Sequence, residues 1–157
     1  MSFELRDHTA DIAVAASGDS LAEVFASVAD GLAAATCANV PDPDDCDSDR
    51  FSLAVAAESQ EALLYDYLAA LIYERDVRAV LPVDNEASVE ESRTDDPEAD
   101  AWHLDASARG VPLGVIDARE VKAVTYSEMA IEETVEGRRA YVVFDVLALL
   151  ISPSDRR

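Results

Sequence analysis

The sequence has few basic residues, and this shortage limits its direct partners. Lysine and arginine together number 12, against 33 aspartates and glutamates. Proteins that bind RNA or DNA use lysine and arginine to displace counterions from the phosphates. Because basic residues here never form a run longer than two, we expect no direct binding to RNA.

Features of membrane proteins and zinc proteins are also missing. No stretch reaches the roughly 18 consecutive apolar residues of a transmembrane helix, and residues 3–6 lack the pattern of a signal peptide. Neither Cys37 nor Cys46 has a paired cysteine or histidine at zinc-ligand spacing. We therefore expect a cytoplasmic protein with two free thiols and no membrane association.

The acidic residues give a formal net charge of −21, although half of the 157 residues are apolar. A chain of this size can bury the core of one domain. Charge repulsion on this scale destabilises a compact state in dilute buffer. At molar salt the Debye length is about 3 Å, so the repulsion is screened. The composition is therefore typical of a halophilic protein.

Apolar periodicity predicts two amphipathic helices, with Ser20 and Ser59 as their N-caps. The first helix is expected to extend to Cys37. Alternation of apolar residues predicts seven strands, and a hairpin turn at residues 136–137. The predicted strands cover residues 12–16, 51–55, 80–83, 102–106, 121–126, 129–135 and 139–146.

Two acidic stretches, at about residues 39–50 and 84–100, are predicted to be loops because they combine aspartates or glutamates with proline and few large apolar residues. The order of elements favours an α+β fold, a two-layer sandwich in which two main helices cover one face of a mixed or antiparallel sheet. We expect a single domain over residues 1–146, followed by a C-terminal extension over 147–157. The oligomeric state is left open.

Three polar residues occur where strands are predicted. Asp11 comes directly before a strand, where a turn or cap role is an open alternative. Asp145 lies within an apolar run, and a buried carboxylate requires a cation, a metal or a shifted pKa. Lys122 also lies in a predicted strand, and a surface position would suit it equally well. His103 is predicted to be a strand residue at the surface.

Five segments together resemble the archease family. They are His8-Thr9-Ala10-Asp11, Glu61 to Leu68, Ala106 to Gly110, Glu120 to Tyr126 and Val143 to Val146. Each motif alone is weak evidence, but their joint order over about residues 3–146 is specific.

The resemblance implies an accessory protein, not an enzyme, that activates an RtcB-type RNA ligase in tRNA splicing by promoting guanylylation and multiple turnover. It implies that Asp11 and Asp145 bind a metal, with a backbone carbonyl at or beside Val146 as a further ligand, and that Lys122 is the functional lysine of the same site. Calcium is the implied metal, with another divalent ion open. A shared site would require these residues to converge.

Two departures leave the ligand set open. Ser127 stands where many family members have histidine, and the chain continues beyond Val146, where relatives commonly end. The alternatives are a chaperone-like modulator of a tRNA methyltransferase, a metal-dependent hydrolase and a structural ion pair. Against the hydrolase, no histidine base or nucleophile motif accompanies the carboxylates.

Folding is expected to depend on salt, because unscreened carboxylates repel one another. The thermal midpoint, followed by circular dichroism, should be higher in molar potassium chloride than in dilute buffer. Equal midpoints in the two solutions would contradict this interpretation.

Overall fold

Two antiparallel sheets and two helices form the part of the chain that the computed structural model describes, which is residues 2–8, 11–37, 49–92, 101–116, 121–135 and 137–146. The elements are β1 (Ser2–His8), β2 (Asp11–Gly18), α1 (Leu21–Thr36), β3 (Asp49–Ala57), α2 (Gln60–Arg78), β4 (Val80–Glu91), β5 (Trp102–Pro112), a short 3-10 helix (Leu113–Val115), β6 (Val121–Thr134) and β7 (Gly137–Val146).

Both helices begin at the predicted serine caps. The Ser20 Oγ accepts a hydrogen bond from the Glu23 backbone N–H at 3.2 Å, and the Ser59 side chain accepts one from the Ala62 N–H at 3.1 Å. Each bond satisfies a donor that the first turn would otherwise leave unpaired. α2 ends where Ala79 adopts a left-handed conformation, with φ of 56°. The predicted helices are therefore confirmed.

The strands divide into a four-stranded sheet of order β1-β2-β7-β6 and a three-stranded sheet of order β3-β5-β4. Every pairing between described strands is antiparallel. α1 packs against β2 and β4, and α2 packs against β6 and β3, so each helix contacts both sheets. One apolar core includes residues from both helices and both sheets. The α+β class is confirmed, and the division into two sheets is a detail that apolar alternation does not predict.

The predicted loop over residues 84–100 is wrong at its start, because β4 continues to Glu91. Along this strand Ala87 and Val89 pack against the core, whereas the intervening Ser88 and Glu90 are exposed. The acidic residues thus occupy the solvent face of a strand. Residues 93–100 lie outside the described part. So do residues 39–48 of the other predicted loop. The last two residues of that loop, Asp49 and Arg50, belong to β3 instead.

Three other strands also differ from the prediction. β1 is absent from the prediction, although Phe3 and Leu5 alternate there with Glu4 and Arg6, a pattern typical of an edge strand. β6 is one strand rather than two, with a register shift between Thr125 and Ala130. β5 continues through Gly110, whose missing side chain permits close approach, because a Cβ there would lie 3.0 Å from Cγ2 of Val80.

Several smaller predictions concern single residues or segments. Cys37 is a buried free thiol as predicted, whereas Cys46 lies outside the described residues. His103 is exposed on β5, as expected. β6 and β7 form the expected hairpin, with Thr134 opposite Gly137, although Glu136 is outside the described part. No described helix is long and apolar enough to cross a membrane.

Replacing Gly137 with alanine should reduce the free energy of unfolding by about 1–3 kcal/mol, because its φ of 138° strains an L-residue. The added Cβ would also lie 2.5 Å from the Gly18 carbonyl oxygen. The control is Gly114→Ala, since a Cβ there meets nothing within 4 Å. Chemical denaturation at fixed high salt measures both variants, and equal stability losses would contradict the argument.

Candidate functional site

The backbone brings together the two predicted metal-binding aspartates from opposite ends of the chain. β2 and β7 pair in a register that makes Asp11 and Asp145 direct Cα partners. Directly opposed residues in an antiparallel pair have Cα atoms about 4.5–5.5 Å apart. His8 of β1 is the Cα partner of Asp11 on its other side.

The predicted lysine and the predicted carbonyl ligand lie on the neighbouring strand pair. On β6, Ala123 is the partner of Asp145 and Val121 is the partner of Val146. Lys122 lies between them, at a register shift that places one extra residue on β6. All four predicted site positions therefore fall within one short section of the four-stranded sheet.

The described residues around this section are shielded from water. Ala13 and Val143, two positions from Asp11 and Asp145 along β2 and β7, are Cα partners and lie on one face of the sheet. Their exposed fractions are 0% and 3%. Phe144, on the opposite face, is also fully buried and belongs to the core. The described neighbours of the two aspartate positions are therefore apolar and buried.

The side chains of Asp11, Lys122, Asp145 and Val146 lie outside the described part of the structure, so the metal ligand set stays a prediction. Among the described side chains, no group of three or more histidines, cysteines, aspartates or glutamates could hold a metal ion. Ser127, which departs from the usual family pattern, also has an undescribed side chain.

A second polar cluster lies on the three-stranded sheet, and sequence reasoning missed it. The register of β4 against β5 shifts between Val83 and Glu86, where Asp84 has a φ of 50°. The Arg109 Nε donates to the Asp84 Oδ2 at 2.7 Å, and Arg109 is 8% exposed. Arg50 donates to the Asp84 carbonyl oxygen. Two arginines on neighbouring strands thus hold the bulge in place.

The bulge also connects β4 to α1 through Asp30. The backbone N–H and the side-chain amide of Asn85 both donate to the Asp30 Oδ1, at 3.0 and 2.9 Å. Burial raises the pKa of Asp30 above its usual range, although the hydrogen bonds from Asn85 oppose the shift. Burial, together with the Asp30 charge, raises the pKa of the fully buried Tyr67. This geometry indicates a structural connection and not a metal site.

All six arginines whose side chains are described form ion pairs with carboxylates. The pairs are Arg50 with Glu86, Arg75 with Asp76, Arg78 with Glu74, Arg109 with Asp84, Arg138 with Glu133 and Arg139 with Glu132. The described surface thus has no cluster of unpaired cations of the kind that contacts nucleic-acid phosphates.

Comparison with known proteins gives the relatives of this chain. The archease protein family matches residues 3–146. The archease of Thermococcus kodakarensis is 33% identical to this chain over 141 residues, which cover 87% of this chain and 92% of the Thermococcus protein. That of Methanosarcina mazei is 32% identical over 144 residues, covering 92% and 95%. The chain belongs to the archease family.

Two solved structures extend the archease comparison to the fold. Protein 1598 of Methanobacterium thermoautotrophicum has a TM-score of 0.69 and 28% identity, covering 92% of this chain and 98% of its own. An archease of Thermotoga maritima, described as a possible chaperone, has a TM-score of 0.59 and 22% identity, covering 91% and 96%. The second likeness concerns the fold alone.

The raised pKa of Asp30 predicts how a neutral replacement should behave in this archease. An aspartate with a raised folded-state pKa contributes stability below its ordinary pKa of 3.8, and this contribution is lost as the pH rises through the raised value. Asp30→Asn keeps an oxygen that accepts hydrogen bonds from Asn85 but carries no charge. Its stability relative to the wild type should therefore increase between pH 4 and pH 7.

Urea denaturation at both pH values and at constant high salt measures this difference. Asp66→Asn is the matched control, because Asp66 is an exposed carboxylate on α2. A difference between Asp30→Asn and the wild type that stays constant with pH would show that burial of the Asp30 charge has no cost.

Proposed function

We propose that this archease is a metal-binding protein cofactor that activates an RtcB-type RNA ligase in tRNA splicing. The observation that carries the proposal is the direct pairing of Asp11 with Asp145 across β2 and β7. Two carboxylates on directly paired positions of neighbouring strands repel each other unless one is protonated or a cation lies between them. Ala13 and Val143, two positions away along the same strands, are buried, and burial of the carboxylates beside them would increase that repulsion, because water would screen it poorly.

The predicted donors fit a hard divalent cation. Asp11 and Asp145 supply carboxylate oxygens, and Val146 supplies a backbone carbonyl. Calcium takes six to eight oxygen ligands at about 2.3–2.6 Å, so this set leaves positions for water or for a group of the ligase. When bound, the metal would supply a divalent positive charge to an otherwise acidic protein.

Lys122 has a different role from the aspartates. An ammonium group donates hydrogen bonds and cannot coordinate a cation. Its backbone position lies between the partners of Asp145 and Val146. We assign Lys122 to a contact with a phosphate, or with a carboxylate of the ligase, beside the bound metal.

The charge distribution supports a protein partner over RNA. The chain carries a net charge of −21, and each arginine with a described side chain is paired with a carboxylate. Direct contact with RNA phosphates would require new cations. A metal held by Asp11 and Asp145 is a route by which this protein can approach a phosphorylated or nucleotide-bearing active site.

A second candidate is a chaperone-like modulator of a tRNA methyltransferase. Tyr73 and Val77, four residues apart on α2, are 63% and 62% exposed and form an apolar surface one helical turn long. Exposed apolar side chains can contact aggregation-prone surfaces of another protein. If this function holds, Tyr73→Ser with Val77→Ser should abolish suppression of methyltransferase aggregation and leave ligase stimulation unchanged.

The aspartate variants provide the main test. Asp11→Ala and Asp145→Ala should each weaken calcium binding by at least about tenfold and abolish ligase stimulation, because each removes a charged ligand. Lys122→Ala should impair stimulation but retain calcium binding. Asp66→Ala, which removes an exposed carboxylate from α2, is the control and should behave like the wild type.

Calorimetry with calcium, thermal midpoints and ligase guanylylation with multiple-turnover joining, all at molar salt, separate the outcomes. Wild-type stimulation by all three site variants would refute the assigned site. Loss of stimulation accompanied by unfolding would assign the residues to a structural ion pair instead.

A further inference from the structure

β3 is an edge strand of the three-stranded sheet. β3 and β4 are the two edges of the three-stranded sheet, with β5 between them. No described strand pairs with β3 on the side away from β5. An edge strand presents unpaired N–H and C=O groups, which can pair with another chain.

The opposite edge of the same sheet carries features that prevent such pairing. β4 contains Pro82, the left-handed Asp84 and a register shift between Val83 and Glu86. Glutamates also alternate along its exposed face. Proline, bulges and charges are the usual means by which edge strands avoid other chains.

β3 has none of these features over residues 51–57. The sequence there contains no proline and no charged residue, and its register against β5 is regular from end to end. The other two edges of the molecule differ: β6 has two register shifts, and β1 includes Glu4, Arg6 and Asp7. Among the four described edges, β3 is the one without protection.

The side chains of β3 suit close approach by another strand. Ser52, Ala54 and Ala56 are exposed on its outer face and are all short. Leu53 and Val55 are only partly buried where they border the core. A strand added beside β3 would complete the burial of these two apolar side chains.

We propose that β3 pairs antiparallel with β3 of a second copy of this chain, about a two-fold axis at Ala54. In this register Leu53 lies opposite Val55 of the second copy, and Ser52 lies opposite its Ala56. The apolar residues face each other on one side of the joined sheet, and the short residues face each other on the other side. The strand is thus self-complementary, as a two-fold interface requires.

The ends of β3 favour the same arrangement. Arg50 falls opposite Glu58 of the second copy, so opposite charges meet at both ends of the ladder. Arg50 already contacts Ser107 and Glu86, so its attraction to Glu58 acts over a longer distance. Each copy carries a net charge of −21, and its repulsion must be screened before the strands meet. Dimerisation should therefore increase with salt.

The test is the molar mass of the full chain in solution, measured by light scattering after size exclusion over a range of protein concentrations. In molar potassium chloride we expect twice the 16.9 kDa of one chain, and in dilute buffer a shift toward the monomer. A monomer at every salt and protein concentration would overturn the proposal.

Charge variants at the axis test the register. Ala54→Lys sets two lysines opposite each other and should raise the dimer dissociation constant by at least about tenfold. Ala54→Glu should do the same, but a mixture of the two variants should restore a dimer. Ser88→Lys, which makes the same charge change on an exposed position of β4, is the control and should stay dimeric.

A dimer that Ala54→Lys leaves unchanged would place the interface elsewhere and overturn the proposal. If Ala54→Lys does not fold, the double variant Ser52→Glu with Ala56→Lys decides the question, since the register then sets glutamate opposite lysine twice. This variant should remain dimeric. The double variant Ser52→Lys with Ala56→Lys sets lysine opposite lysine twice and should be monomeric.

Discussion

The pairing of β2 with β7 is the interaction on which the rest of the structure depends. It joins the start of the chain to its end at the centre of the four-stranded sheet. Val14 and Phe144 contribute fully buried side chains to the core from these two strands. The same register that aligns the core residues also makes Asp11 and Asp145 partners. Because a shift by one residue would move Val14 and Phe144 out of the core, packing fixes the candidate site.

Local features of the fold were readable from the sequence, whereas pairing between distant segments was not. Ser20 and Ser59 define helix starts through hydrogen bonds within four residues, so their pattern is sufficient. The prediction gives only the first part of β4, because the inner face of its second part is built from Ala87 and Val89 among acidic residues. Apolar alternation identifies a strand but not its neighbours, so the sequence pattern is the same whether the strands form one sheet or two.

The same distinction applies to the candidate site, where the sequence identifies residues but not the contacts between them. The residues Asp11, Lys122 and Asp145 were found through motif resemblance, and their adjacency depends on strand register. Asp30 gave no comparable signal, because an aspartate in an amphipathic helix is ordinarily solvated. Its contact with Asn85 exists only because the bulge at Asp84 turns Asn85 toward α1. A long-range contact of this kind has no local sequence signature.

The excess of negative charge limits the ways in which this archease can associate with other molecules. Ordinary cationic contacts are absent from the described surface, since its arginines are occupied by carboxylates of the same chain. Two kinds of contact remain effective in such a protein. A bound divalent ion reverses the charge locally, and main-chain hydrogen bonds at a strand edge do not depend on side-chain charge. The proposed metal site uses a bound divalent ion, and the proposed β3 pairing uses main-chain hydrogen bonds. High salt would therefore weaken the Coulombic attraction at the metal site, whereas it would favour the β3 pairing by screening the repulsion between the two acidic chains.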